Sequence, residues 1–254
     1  MSATDISAAS ALEKGAGSFP CAGFQGTTLI DFPGCVASII FTPGCNLRCP
    51  YCHNGALFTV EGDELMPHEA LQEELAKRHG FIDGIVITGG EPSLHPGLVA
   101  FARGVKERYN LEIKLDTNGL DPAFVRAMLP HVDYVAIDLK TTPERYYLLG
   151  AQAGAGAIRE RLRETGRLLA AAAARVEYRT TMYPPAVDGV DTLVAMLEFV
   201  PPSADFYLQR FIARNAWSEE ARKNASFEPA QLEAMALELR RRTGRDRIYV
   251  RTYS

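Results

Sequence analysis

The stretch that decides the fold is VASIIFTPGCNLRCPYCHN, Val36 to Asn54. It opens on an apolar run, Val36 to Thr42, that reads as a strand buried on both faces. It then breaks at Pro43 and Gly44 and delivers Cys45, Cys49 and Cys52 within eight residues. The same grammar recurs downstream, a short strand-like run closed by a polar or glycine-rich motif. GIVITG (Gly84–Gly89) runs into GGEP, LEIKLDT (Leu111–Thr117) into DTNG, and VDYVAIDL (Val132–Leu139) into DLK. RVEYRTTM (Arg175–Met182) carries RTT, DFYLQRF (Asp205–Phe211) carries QRF, and RIYVRTY (Arg247–Tyr253) closes the chain. Helical patterns fall between them at Pro67–His79, Pro96–Tyr109, Ala157–Ala174 and Glu228–Thr243, the last stopped by Gly244. Repeated βα units predict parallel strands. Six in succession predict an α/β fold, a partial (β/α)6 TIM-like barrel, with the functional residues at the C-terminal ends of the strands.

The chain has 254 residues, enough for a sizeable core. Residues 1–20 are rich in Ala, Ser and Gly and read as a flexible extension; 21–254 read as one domain with a C-terminal helix and strand. Lys and Arg number 27 against 31 Asp and Glu, net −4, which argues against nucleic acid or an anionic membrane as partner. The basic LRRRTGRDR (Leu239–Arg247) instead complements a helix dipole. GAQAGAGA (Gly150–Ala157) lacks the Lys-Ser/Thr ending of a phosphate loop. No apolar run reaches the roughly 20 residues of a membrane span, and the N-terminus lacks a basic start and apolar run, so the cytoplasm is expected. In a reducing compartment, five cysteines with three crowded together point to metal or catalysis, not to a disulfide framework.

Soft thiolates at CxxxCxxC spacing suit zinc or an iron–sulfur cluster. A cubane cluster usually takes four cysteines, so three leave one iron open to a substrate or cofactor. The rival is a closed Cys3His zinc site using His53, whose place next to Cys52 is awkward for ligating the same ion. Cys21 and Cys35 read as small hydrophobes. His68, His79, His95 and His131 read as surface or packed residues.

CNLRCPYC resembles the signature of the radical S-adenosylmethionine (SAM) superfamily, and GGEP its SAM-binding motif. TLIDFPGCVASIIFTPGCNLRCPYCHN, followed in order by ITGGEP, DTNG, AIDLK, YRTT and YLQRF, resembles the activating proteins of glycyl-radical enzymes. The likeness is closest to activators of anaerobic ribonucleoside-triphosphate reductase. It implies a [4Fe–4S] cluster on Cys45, Cys49 and Cys52, with SAM on the open iron. It also implies reductive cleavage of SAM to a 5′-deoxyadenosyl radical and hydrogen abstraction from a glycine of a partner enzyme. An electron donor such as flavodoxin or ferredoxin follows from the same resemblance. The alternative is a radical SAM enzyme acting on a small molecule, of the carboxy-deazaguanine synthase type.

The resemblance extends to single residues. Gly89 and Gly90 would let backbone carbonyls reach the methionine ammonium, with Glu91 fixing the turn or offsetting charge. Tyr51 would pack near the adenine. Asp116, Thr117, Asp138 and Lys140 would contact SAM, a monovalent cation or the incoming peptide, with Lys140 counted beside the cysteines as catalytic. Two acids at neighbouring strand ends repel unless a cation or an ammonium compensates them, and Lys140 offers one partner. Asn118 with Gly119 is a cofactor contact or a turn. Arg179, Thr180 and Gln209 would meet the SAM carboxylate or ribose. Pyruvate formate-lyase activases place a histidine near the end of the sixth strand; here the run is QRFIARN, so that contact is absent or remade by Gln209 or Arg210.

Overall fold

The computed structural model describes residues 17–252. Residues 1–16 of the expected N-terminal extension, and Tyr253 of the expected last strand, lie outside the described residues. The chain forms two compact units, each gathered from several stretches.

The first unit takes in the described residues up to Cys45, Leu57–Asp116 and Arg126–Tyr134. It holds β1 (Gly23–Thr28), β2 (Ala37–Thr42), α1 (His68–Arg78), β3 (Gly84–Gly89), α2 (Gly97–Tyr109) and all but the last residue of β4 (Glu112–Thr117). β2 pairs in parallel with β3 from Ala37↔Gly84 to Thr42↔Gly89, and β3 with β4 from Gly84↔Glu112 to Ile87↔Leu115. Ile85, Val86 and Ile87 are buried on both faces of the sheet, so the strand reads as an unbroken apolar run. On α2, Leu98, Phe101, Ala102 and Val105 make one helical stripe that is fully buried or nearly so. The helix ends at Asn110, whose φ of 52° reverses the chain into β4. Phe19 packs edge-on against Phe101 with ring centres 5.0 Å apart. β1 is an addition to the expected strands: GFQGTT has no apolar run, and it forms by antiparallel pairing with β2, Gly23 opposite Phe41.

The short helix α3 (Pro122–Met128) follows. The second unit takes in Asn46–Ala56, Thr117–Val125 and the chain from Val135 onward. It holds β5 (Tyr134–Asp138) from its second residue, α4 (Ala155–Ala170), β6 (Arg175–Met182), α5 (Val190–Met196), β7 (Asp205–Arg210), α6 (Glu219–Arg222), α7 (Pro229–Thr243) and β8 (Ile248–Arg251). The strand order is β5-β6-β7-β8, with β6, β7 and β8 parallel. α7 starts at a capping box between Glu228 and Gln231 and stops at Gly244, with φ of 66°. Both units bear out the expected α/β fold on parallel strands.

Side chains alternate across a strand. Tyr178, Thr180 and Met182 on β6, and Phe206 and Leu208 on β7, form one buried face. The opposite face of β6–β8 carries Glu177, Arg179, Thr181, Tyr207, Gln209 and Arg251, with Arg179 beside Tyr207 and Gln209 beside both Thr181 and Arg251.

Candidate active site

In the first unit, β2 ends in Thr42 and the chain turns through Pro43 and Gly44, φ 70°, into Cys45. The turn after β3 lies directly on it. Gly90 N donates to Thr42 O at 2.8 Å, and Glu91 N to Gly44 O at 2.9 Å. A Cβ on Gly90 would stand 1.7 Å from Gly44 O; one on Gly89, at φ 120°, would stand 2.4 Å from Thr42 N. Both glycines are therefore required by the close approach of two backbones. Glu91 is buried at 1% exposure and accepts from Ser93 N at 3.1 Å, fixing the turn. His95, read from sequence as a surface or packed residue, hydrogen-bonds through Nε2 to Pro43 O at 2.8 Å and braces the start of the cysteine loop. Nothing in the sequence signals that role, because a lone histidine after a turn carries no motif. At the end of β4, Asp116 is salt-bridged to Lys114, a buried lysine to which the sequence reading assigned no role.

In the second unit, Cys52 N donates to Cys49 O at 3.0 Å, and Arg48 N to Leu149 O at 2.7 Å, shaping the rest of the loop. Asn118, 3% exposed, donates through Nδ2 to Asn46 Oδ1 at 2.7 Å and accepts from Leu120 N at 3.0 Å. Its amide thus serves as a turn and as a brace on the cysteine loop. The Thr117 hydroxyl accepts from Gly119 N. Tyr51 is 7% exposed and stands 5.0 Å, ring to ring, from Tyr183, which stands 5.0 Å from Phe211. The Tyr51 hydroxyl is buried with no hydrogen-bond partner. Burial pushes that phenol well above its ordinary pKa.

Asp138 ends β5. Arg179 Nε donates to its Oδ1 at 2.8 Å, and Lys140 Nζ lies 3.6 Å from its Oδ2. Burial works to raise the carboxyl, but Arg179 and then Lys140 outweigh it and hold Asp138 far below the usual carboxylate range. Burial likewise works to lower Lys140, and Asp138, followed by Cys49, Tyr51 and Cys52, drives it well up instead. Arg179 also lies 3.8 Å from Glu177, whose carboxylate meets Arg251 at 3.2 Å. Thr180 sits on the opposite face of β6 and donates to Leu139 O at 2.7 Å, a strand-to-strand brace. Gln209 is half-buried on the polar face; Arg210 points the other way, to Phe227 O at 3.2 Å and Glu228 at 3.4 Å.

The five cysteines carry thiols and no disulfide. Cys49 is buried, Cys45 and Cys52 are half-buried, and burial pushes Cys52 up, with Lys140 opposing. Among the described residues, no three His, Cys, Asp or Glu side chains are arranged to hold a single metal ion, and His53 is exposed. A cubane spreads its thiolates over different irons, whereas a tetrahedral zinc needs its ligands about one point. The donor set, three soft thiolates on one short loop, fits a cluster with one iron left open.

Residues 39–197 match the sequence profile of the radical SAM superfamily. A protein of Methanocaldococcus jannaschii, provisionally named a glycyl-radical enzyme activating enzyme, is 32% identical over 206 residues, 79% of this chain and 83% of that one. The 7-carboxy-7-deazaguanine synthase of Hyperthermus butylicus is 35% identical over 116 residues, 45% of this chain and 48% of that one. The solved structure of TYW1 with a lysine–pyruvate adduct bound shares the fold at 15% identity, with a TM-score of 0.54 over 81% of this chain and 73% of that one. A profile match through the cysteine loop, the GGE turn and β6, joined to a near full-length match to an activating enzyme, settles the lineage: this chain is a radical SAM enzyme, of the family that activates glycyl-radical enzymes.

Proposed function

We propose that this chain activates an anaerobic ribonucleoside-triphosphate reductase by abstracting a hydrogen atom from a glycine of that enzyme. The observation that carries this reading is the ordered run from TLIDFPG through CNLRCPYC, GGEP and DTNG to YLQRF, which most resembles activators of that reductase. The family works with a [4Fe–4S] cluster and SAM. When bound and reduced, the cluster would supply the one electron for splitting SAM into methionine and a 5′-deoxyadenosyl radical, which would take a hydrogen atom from the glycine α-carbon and end as 5′-deoxyadenosine.

Cys45, Cys49 and Cys52 would hold the cluster. The Gly89–Glu91 turn fixes the backbone that leads to Cys45 and would offer its carbonyls to the methionine ammonium. Lys140, kept charged by Asp138, would place a positive group beside the thiolates of Cys49 and Cys52. Tyr51 and Gln209 would face SAM, and a flavodoxin or ferredoxin would supply the electron. Protein reduced with dithionite, given SAM and the anaerobic reductase, is expected to give a glycyl radical by electron paramagnetic resonance. SAM cleavage with no such radical would overturn the choice of partner.

The 35% identity to a carboxy-deazaguanine synthase favours one second reading, a small-molecule substrate. Deoxyadenosine formation that responds to a small metabolite and not to the reductase would select it.

A further inference from the structure

Among the ligands that the resemblance implies for Asp116 and for Asp138, beside SAM and the incoming peptide, is a monovalent cation. The residues present do not fit it. Lys114 and Asp116 stand two apart on β4, hence on one face. The Lys114 ammonium is salt-bridged to Asp116 Oδ1, the lysine side chain 2% exposed and the aspartate 12%. The ring of Tyr134 lies 5.7 Å from the same nitrogen and offers it a second negative surface. Asp138, for its part, already has Arg179 on one oxygen and Lys140 near the other. A buried lysine is costly to desolvate unless it is paired, and removing one partner of such a pair strands the other charge. The positive charge a cation would bring to either acid is supplied by the chain.

We propose that Lys114 is a resident cation, a positioning residue that compensates and orients Asp116 as a bound monovalent ion would, so that SAM cleavage by this protein needs neither potassium nor sodium. The proposal rests on SAM cleavage and is independent of which substrate receives the radical.

The test uses the cluster-loaded, full-length protein reduced with dithionite. Deoxyadenosine formation and the thermal unfolding midpoint are both measured at equal ionic strength in potassium, sodium and tetramethylammonium chloride. Wild type is expected to show the same rate and midpoint in all three salts. Lys114→Met is expected to be slow in tetramethylammonium chloride and to regain activity several-fold in potassium or sodium chloride. Its midpoint should rise with the same ions, because an ion that binds only the folded state stabilises it. Lys114→Arg should behave as wild type. Stimulation of wild type several-fold by potassium or sodium overturns the proposal. So does a Lys114→Met enzyme that matches wild type in tetramethylammonium chloride, or one that folds and no monovalent ion rescues. If Lys114→Met does not fold, the wild-type and Lys114→Arg salt series decide. A wild-type protein that cleaves no SAM in any salt would instead count against its radical SAM activity.

Discussion

Arg179 Nε donates to Asp138 Oδ1 at 2.8 Å across neighbouring strands, and behind it Arg179, Glu177 and Arg251 continue the charge alternation to the last strand. The Asp138 carboxyl is thereby held below its unfolded value, so the stabilisation it provides is full above the unfolded pKa, near 4. It is lost as pH falls through the still lower folded value. Arg179→Met should lower stability by about 2 kcal/mol at neutral pH, less than a fully buried pair loses because Asp138 keeps partial contact with water. The gap between variant and wild type should close on acidification below about pH 4. Urea unfolding of both proteins across that range checks the sign; a gap that widens in acid would show that Arg179 does not hold this carboxylate.

The contact of Gly90 with Gly44 makes a sharper forecast. A methyl group there would sit 1.7 Å from a backbone oxygen, which no rotamer change relieves. Gly90→Ala should therefore destabilise the fold by about 3 kcal/mol or more, among the larger effects of a single substitution. It should also displace the backbone at Gly44, next to Cys45, so that bound iron falls well below the roughly four atoms of one cubane. Gly154→Ala is the control, since nothing lies within 4 Å of a Cβ there and its φ is −69°. It should change stability by less than about 0.5 kcal/mol. Iron content and unfolding free energy together separate a local displacement from global loss of structure.

His95 reaches the same loop from outside the motifs. His95→Ala removes the bond to Pro43 O, worth about 1 kcal/mol, without touching a thiol. The fold should survive while the cysteine loop loosens, so a ferrous chelator should strip iron from the variant several-fold faster than from wild type. Equal release rates would show that this bond does not restrain the loop.

The parallel strands were legible because they are buried on both faces: Ile85 to Ile87 and Val135 to Ile137 read as apolar runs before any contact is known. β1 was illegible because Gly23–Thr28 owes its extended form to β2 and not to its own composition. The seven-residue helices α3 and α5 are too short to show a helical period. In the site, the cysteines and the GGE turn announced themselves by spacing. The charge partners did not. Sequence reasoning offered Lys140 as the compensating group for two acids, whereas Lys140 and Arg179 meet Asp138, and Asp116 has Lys114 from its own strand. Only the shared face of β4 reveals that pairing. Arg179 was read as a cofactor contact and Asn118 as a cofactor contact or a turn; Asn118 does make the turn to Leu120, while the bonds of Arg179 to Asp138 and of Asn118 to Asn46 depend on neighbours far away in sequence.

The cysteines themselves separate by what their removal should do. Cys35 is half-buried just before β2, outside the CxxxCxxC loop, with its thiol 3.3 Å from Glu112 Oε2, so Cys35→Ala should keep the full iron content and the brown colour of the anaerobically purified protein. Cys49 is buried at 4% exposure in the CxxxCxxC loop, and with only three thiolates available no other cysteine of that loop can replace it. Cys49→Ala should lose nearly all the iron, against about four atoms per chain in wild type. Its unfolding should remain cooperative, because the alanine leaves a small apolar group in a buried position. Iron retained at the wild-type level in Cys49→Ala would remove Cys49 from the ligand set. One zinc and no iron in wild type would restore the tetrahedral site that the arrangement of these side chains disfavours.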